Sequence, residues 1–425
     1  MPVNDTIPPS LPFALRMRLA PVLGGLFGDH SVLRPVLRHV FSRLCFGRLC
    51  LALPDGEMLY FTGIGRKEQQ AVLRIHDWRA LRRLATGGAA AFAEAYIDGE
   101  WSSPDLIGLM RVAMLNETLI RPYLAGGTLA RLIARLGHLR NANTINGSQR
   151  NIARHYDLGN DFFKQWLDRG MTYSSAYYRS RTMSLEEAQR AKYDRICELA
   201  SLRGGERILE VGCGWGGFAA ITAGEHGCQV TGLTLSRQQL TGARRRLSAM
   251  GLDAQTDIVL RDYRHQGGSF DKIVSIEMFE AVGEAYWPAY FRMIKSCLKS
   301  GGTAVLQIIT IDETRFEAYR KGADFIQRHI FPGGVLPSPK ALAREARKAG
   351  LAITHREFFG QSYAITLCEW QRRFQRGWHK IAAHGYDIRL KRMWEYYFCY
   401  CETGFAMGSI DVGWFVIEHT REAET

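Results

Sequence analysis

The sequence predicts an α/β chain in which a smaller, mainly helical N-terminal domain precedes a Rossmann-like domain built on a parallel sheet. The first observation behind this is a strand–turn–helix unit, ILEVGCGWGGFAA (Ile208–Ala220), with Gly212, Gly214, Gly216 and Gly217 in its turn. The second is the alternation that follows, where the apolar segments QVTGLTL, DIVLRD, KIVSIEM and TAVLQIIT are separated by helical ones. Apolar strands spaced by helices form a parallel sheet covered on both faces, and such sheets bind ligands beyond the carboxyl ends of their strands. Glu210, Asp262, Glu280 and Gln307 fall at or just after those ends.

A chain of 425 residues is long for a single core, so two domains are expected. The net charge of +13 suggests an anionic partner, either nucleic acid or phospholipid headgroups. The nine cysteines show no metal-like pairing, and an odd number without a secretory signal reads as reduced thiols in a cytoplasm. Arg16 and Arg18 interrupt the apolar start that a signal peptide would need. No apolar run reaches the roughly 20 residues of a spanning helix. A cytoplasmic protein, soluble or peripheral at the inner face of a membrane, is the expectation.

Residues 1–140 are expected to form the first domain. Arg16, Arg18, Arg34, Arg38, Arg43 and Arg48 punctuate apolar positions such as Leu33, Val36, Leu37 and Phe41, the pattern of basic amphipathic helices. These could lie on an anionic bilayer or could be ordinary surface helices. LCLALPDGEMLYFTG reads as a hairpin turning at Pro54, Asp55 and Gly56, and the basic segment Leu129–Arg140 closes the domain. The polar stretch NANTINGSQ suggests a linker over residues 141–150, which leaves 151–425 as the catalytic domain. Within it, Ser184 with Glu187 three residues on is a capping-box signal for the helix that follows.

The glycine loop calls for a nucleotide-like ligand lying against bare backbone. A dinucleotide would usually expect an acid near the end of the next strand, but that strand ends in Thr234 and Ser236. Asp262 after TDIVLRDY could meet an adenine amino group, with Tyr263 facing the ring, and this favours S-adenosylmethionine (SAM). Glu210 and Gly216 belong to the same loop.

Further motifs are HYDLGNDFF (His155–Phe163), MTYSSAYY (Met171–Tyr178), TGLTLSRQQ (Thr231–Gln239), MFEAVG (Met278–Gly283) and FPGGVLPS (Phe331–Ser338). Together with the glycine loop they resemble the cyclopropane-fatty-acyl-phospholipid synthases, which include proteins like the mycolic acid cyclopropane synthases. The resemblance runs from about residue 150 to the C-terminus, and AYIDGEWSSPDL looks like the family's N-terminal domain. It implies methyl transfer from SAM to a cis double bond of an unsaturated phospholipid acyl chain. A carbocation follows, and loss of a proton from the new methyl closes a cyclopropane ring. It also implies a bicarbonate base held by a glutamate, a histidine, a tyrosine and main-chain groups. Glu280 matches the glutamate, Tyr363 the tyrosine and Ile309 a main-chain position, while Gln307 stands in the histidine's place and Ser175 in that of a cysteine. A glutamine is expected there in the plant-type branch; it can donate and accept hydrogen bonds but cannot carry a proton away. Cys401 matches a C-terminal cysteine and is read as lining the pocket. The implied SAM contacts are Tyr173, Ser174, Gly212, Gly214, Thr234, Leu235, Gln239, Asp262 and Tyr263.

The implied partners are the bilayer surface and its unsaturated chains, and since family members are often dimers a homodimer is expected. Three other readings use the same motifs or charge. A methyl- or methylene-branched acid, including a furan precursor, would arise if the cation were resolved differently. An amine N-methyltransferase explains neither the basic N-terminal domain nor the apolar substrate. A nucleic-acid enzyme is set aside because SIEMFE stands where base-modifying enzymes place an Asn/Asp-Pro-Pro-Tyr motif.

Overall fold

The computed structural model describes residues 33–124, 143–144, 147–148, 158–320, 322 and 324–420. The chain divides into two compact units, Met1–Arg135 and Leu136–Thr425. The expected basic segments around Arg16 and Arg18 and over Leu129–Arg140 lie outside the described residues, as does His155.

In the first unit, α1 (Leu33–Phe41) is followed by β1 (Phe46–Ala52), β2 (Met58–Thr62), β3 (Gly65–Ile75), α2 (Arg79–Ile97), β4 (Trp101–Ser102), α3 (Leu106–Leu115) and α4 (Glu117–Leu124). Helices hold more of its described residues than strands, around a four-stranded sheet of order β2-β1-β3-β4. The expected hairpin is β1–β2, turned at Gly56, whose φ of 90° suits a residue without a Cβ. The parallel pairing of β1 with β3 has no counterpart in the sequence reading. Alternation along the strands buries Leu49, Leu51, Leu59, Ala71 and Leu73 on one face. The other face carries Arg48, Met58, Tyr60 and Arg74, with Tyr60 73% exposed. Arg34 and Arg38 are tied to Asp55 and Glu57 at the hairpin turn, so α1 is a helix packed on its own unit there.

The second unit begins with α5 (Gly159–Phe163) and α6 (Leu185–Leu199), and the capping box of α6 forms as expected: the Ser184 N–H meets Glu187 at 2.7 Å and the Glu187 N–H meets Ser184 at 3.2 Å. There follow β5 (Arg207–Val211), α7 (Gly217–His226), β6 (Gln229–Thr234), α8 (Arg237–Ala249), β7 (Thr256–Leu260), β8 (Phe270–Ile276), α9 (Trp287–Cys297), β9 (Leu298–Ile311), α10 (Glu313–Tyr319) and α11 (Pro339–Lys348). The chain closes with β10 (Leu351–Phe358), α12 (Gly360–Ala383), α13 (Ile388–Ala406) and β11 (Ile410–His419). The seven-stranded sheet has the order β10-β11-β9-β8-β5-β6-β7. Its body from β9 to β7 is parallel, whereas β11 is antiparallel to both neighbours. The reversal has a simple cause, because a short turn at Met407–Ser409 sends the chain straight back from α13 into the gap between β9 and β10. The strand order changes direction at β5, whose two edges face β6 and β8, and the glycine loop leaves from that switch point.

Leu209, Val211, Ile273, Leu306 and Ile308 form the sheet's side of the core. A second packing centre is aromatic: Trp166, with no exposed surface, has ring contacts with Phe162, Phe163, Tyr173, Trp370, Trp394 and Phe398. Among the described residues no helix is long and apolar enough to cross a membrane. Asn143, placed in a linker by its polar surroundings, is 4% exposed and donates to the carbonyls of Ala281 and Gly333, both at 2.8 Å. Its amide satisfies carbonyls that would otherwise be buried without a donor, so this position belongs to the catalytic unit.

Candidate active site

The turn after β5 is left-handed three times, at Gly212 (φ 85°), Gly214 (φ 53°) and Gly216 (φ 76°). A Cβ at Gly212 would come within 2.9 Å of the Met278 side chain, whereas one at Gly214 would meet nothing within 4 Å. The loop is therefore tight on the side of Met278 and open at its tip, as a ligand lying on bare backbone requires. Glu210, at the end of β5, is 3% exposed and has one carboxylate oxygen without a hydrogen-bond partner among the described residues. Burial pushes its pKa up to about 8. At the end of β6, Thr234 donates to Gln239 at 2.8 Å, with Leu235 between them in the chain at the entrance to α8. The Asp262 carboxylate is spanned by Arg264, with its closest contact at 2.6 Å, and Tyr263 is 8% exposed against Tyr290. An adenine amino group would thus share Asp262 with Arg264 rather than meet a free carboxylate.

The MTYSS segment packs against α6, where Tyr193 meets Thr172 and Lys192 meets Ser174. The Tyr173 hydroxyl contacts that of Tyr397 at 3.1 Å, and its ring packs on Trp166 and Trp370. Ser174 accepts from Lys192 at 2.6 Å. Lys192, absent from the sequence expectations, is fully buried on α6; desolvation lowers its pKa to about 7 against the pull of Glu277, Asp168 and Glu210. A lysine within an otherwise ordinary amphipathic helix carries no signal of burial, which explains why it was missed.

Of the residues expected together, Ser175, Gln307 and Tyr363 gather at the ends of β8 and β9 around a further residue, Glu277, while Ile309 and Glu280 pair with each other. Glu277 Oε1 accepts the Ser175 N–H and the Gln307 amide, both at 2.8 Å, and its Oε2 accepts the Tyr363 hydroxyl at 2.7 Å. The Gln307 amide is oriented from behind, because its Oε1 accepts the Trp414 indole N–H at 2.9 Å. Burial raises the pKa of Glu277 and opposes its three donors. Glu280 Oε1 accepts the Ile309 N–H, its Oε2 is buried without a partner among the described residues, and desolvation reinforced by Glu277 pushes its pKa up to about 8. Tyr363 remains a donor, its ionisation suppressed by burial and by Glu277. Burial also raises the Cys401 thiol, which keeps it protonated and unsuited to act as a nucleophile.

A thrice left-handed glycine turn at the switch point of a Rossmann-like sheet, beside a buried polar cluster, is the architecture of a SAM-dependent methyltransferase. The family model described as mycolic acid cyclopropane synthetase matches residues 144–415, and the chain belongs to that family. It is 36% identical over 360 residues to the tuberculostearic acid methyltransferase of Mycobacterium tuberculosis, covering 80% of this chain and 81% of that one. It is 35% identical over 353 residues to the cyclopropane-fatty-acyl-phospholipid synthase of Escherichia coli K12, covering 82% and 87%. A solved mycolic acid cyclopropane synthase complexed with SAH and CTAB superposes with a TM-score of 0.60 at 30% identity, covering 63% of this chain and 97% of that one. The protein is thus a lipid-modifying methyltransferase with SAM as its cofactor. The open tip at Gly214 and the orphaned Glu210 oxygen suit the polar end of that cofactor.

Proposed function

We propose that this enzyme methylates a cis double bond in an unsaturated phospholipid acyl chain and closes a cyclopropane ring. The observation that carries the reading is the convergence of Glu280, Gln307, Ile309, Ser175 and Tyr363 on one centre beside the glycine loop. Bound SAM supplies an electrophilic methyl group. The alkene π pair would take up that methyl as its bond to sulfur breaks, the sulfur leaving as a neutral thioether and the positive charge passing to the neighbouring carbon. Aromatic faces and the exclusion of water preserve such a cation. Tyr173, Phe331 and Tyr397, which contact one another, offer faces of that kind. Glycine turns at 212, 214 and 216, with Tyr173, Ser174, Thr234, Leu235, Gln239, Asp262 and Tyr263, would hold the cofactor.

A second reading keeps the cation but not the ring. The relative named for tuberculostearic acid is as similar to this chain as the cyclopropane synthase is. Fatty acids from a host lacking its own enzyme, grown with labelled methionine while expressing this protein, separate the two. Ring closure gives a product one labelled methylene heavier than the monoene and resistant to hydrogenation. A methyl-branched product would replace this assignment, and an unlabelled lipid fraction would reject lipid methylation altogether.

The N-terminal unit is proposed to dock on the inner face of the membrane. Across its sheet Met58, Ala52 and Arg74 form one row, and Tyr60, Cys50 and Val72 the next, so basic and apolar side chains share an outward face. Replacing Arg48 and Arg74 together by Ala is expected to weaken binding to anionic vesicles about 30-fold at low salt, at roughly 1 kcal/mol for each basic residue. Flotation of wild type and variant checks this, and equal binding by both would exclude the face.

A further inference from the structure

The donors that a bicarbonate would require in this enzyme are already committed to its own side chains. The Ser175 N–H, the Gln307 amide and the Tyr363 hydroxyl serve Glu277, and the Ile309 N–H serves Glu280. A bicarbonate placed there would have to displace a carboxyl group from its donors and lie as an anion beside the Glu277 carboxylate, an arrangement that like-charge repulsion disfavours. The residues present do not fit that ion.

We propose that Glu277 replaces it: the Glu277 carboxylate is the base that takes the proton from the new methyl group, and turnover needs no bicarbonate. This rests on the lipid-methylation reading above. The step balances within the site. The C–H bond of the new methyl breaks, and its electron pair forms the third carbon–carbon bond of the ring at the cationic carbon. The proton passes to a Glu277 oxygen and from there to solvent once the neutral lipid product leaves.

Independent features hold Glu277 in this role. Its backbone is left-handed at φ 51°, a conformation that costs a non-glycine residue on the order of 1 kcal/mol. Gln307 grips it twice, since the Glu277 N–H donates to the Gln307 carbonyl at 2.8 Å while the Gln307 amide donates to its carboxylate. Trp414 fixes which end of that amide faces Glu277. A glutamine is the fitting residue here because it donates without adding a charge. A histidine able to gain a proton would compete for the proton that the base must collect. Glu280 has one donor where Glu277 has three, so of the two carboxyl groups Glu277 is the better stabilised as an anion.

The test uses the full-length protein with SAM and vesicles of a cis-monounsaturated phospholipid, in carbonate-free buffer and again with bicarbonate added. Wild-type turnover should be the same in both. Glu277→Gln should lose about 100-fold or more in ring formation, the range of a general base, while calorimetry shows unchanged SAM affinity. Glu277→Gly removes the carboxylate and relaxes the left-handed backbone, and added bicarbonate or formate should restore part of its turnover. Wild-type turnover that rises with bicarbonate, or a Glu277→Gln variant as fast as wild type, overturns the proposal and leaves the lipid-methylation reading standing. A wild-type protein that labels no lipid in either buffer removes the reading and the proposal with it.

Discussion

Glu280→Leu is expected to lower turnover about 100-fold, whereas Glu280→Gln should keep a tenth or more of the wild-type rate. The difference follows from the protonation state. With its pKa pushed up to about 8, Glu280 is a neutral acid near pH 7, and a glutamine reproduces both its acceptor for the Ile309 N–H and a donor on the other side. Leucine reproduces neither and leaves the Ile309 N–H buried without an acceptor. The same raised pKa fixes a pH dependence. A carboxyl that holds its proton more tightly when folded contributes stability that is complete below the unfolded value of 4.5 and is lost as pH rises through about 8. Wild type should therefore lose melting temperature relative to Glu280→Gln between pH 5 and pH 8.5. Glu210, raised in the same way, is common to both proteins and cancels in the difference. Parallel melting curves across that range would show that Glu280 is ionised throughout, and equal rates for the two variants would remove its hydrogen bonds from the mechanism.

Trp166→Ala should have the largest effect on stability, about 3–5 kcal/mol. No surface of Trp166 is exposed, and six neighbouring rings lose a partner when it is removed. At roughly 2–4 °C per kcal/mol for a unit of this size, the melting temperature should fall by about 10 °C. Because Tyr173 packs directly on Trp166, SAM should weaken in the same variant and restore less of the lost stability than it adds to wild type. Differential scanning calorimetry with and without SAM measures both effects. A fall of under 2 °C would mean that the cluster closes over the cavity and that Trp166 is not its keystone.

The catalytic fold was largely legible because its signals are local. A glycine turn, a capping box at Ser184 and apolar strands each declare themselves within a short window. What escaped depends on the return of distant segments: β11 reads as one more apolar strand, and its reversed insertion is decided by the turn after α13. In the N-terminal unit β3 escaped because GRKEQQAVLRI is polar on its outward face, so its run of charges masks the buried Ala71, Leu73 and Ile75. The site was legible as a set of residues but not as an arrangement. Ser175, Gln307, Ile309, Tyr363 and Glu280 were expected together, yet the residue on which three of them converge was passed over. Glu277 stands one residue ahead of the recognisable MFEAVG, and only the pairing of an acid at a strand end with an unusual glutamine across the sheet could have pointed to it.

That pairing has a consequence for how such a centre can change over generations. Glu277 and Gln307 exchange a main-chain bond and a side-chain bond across adjacent strands, with Trp414 bracing the second. Altering either alone strands a buried amide or a buried carboxylate, so the first step of any exchange is disfavoured whichever residue moves first. An exchange at either position is therefore tolerated best when the other changes with it.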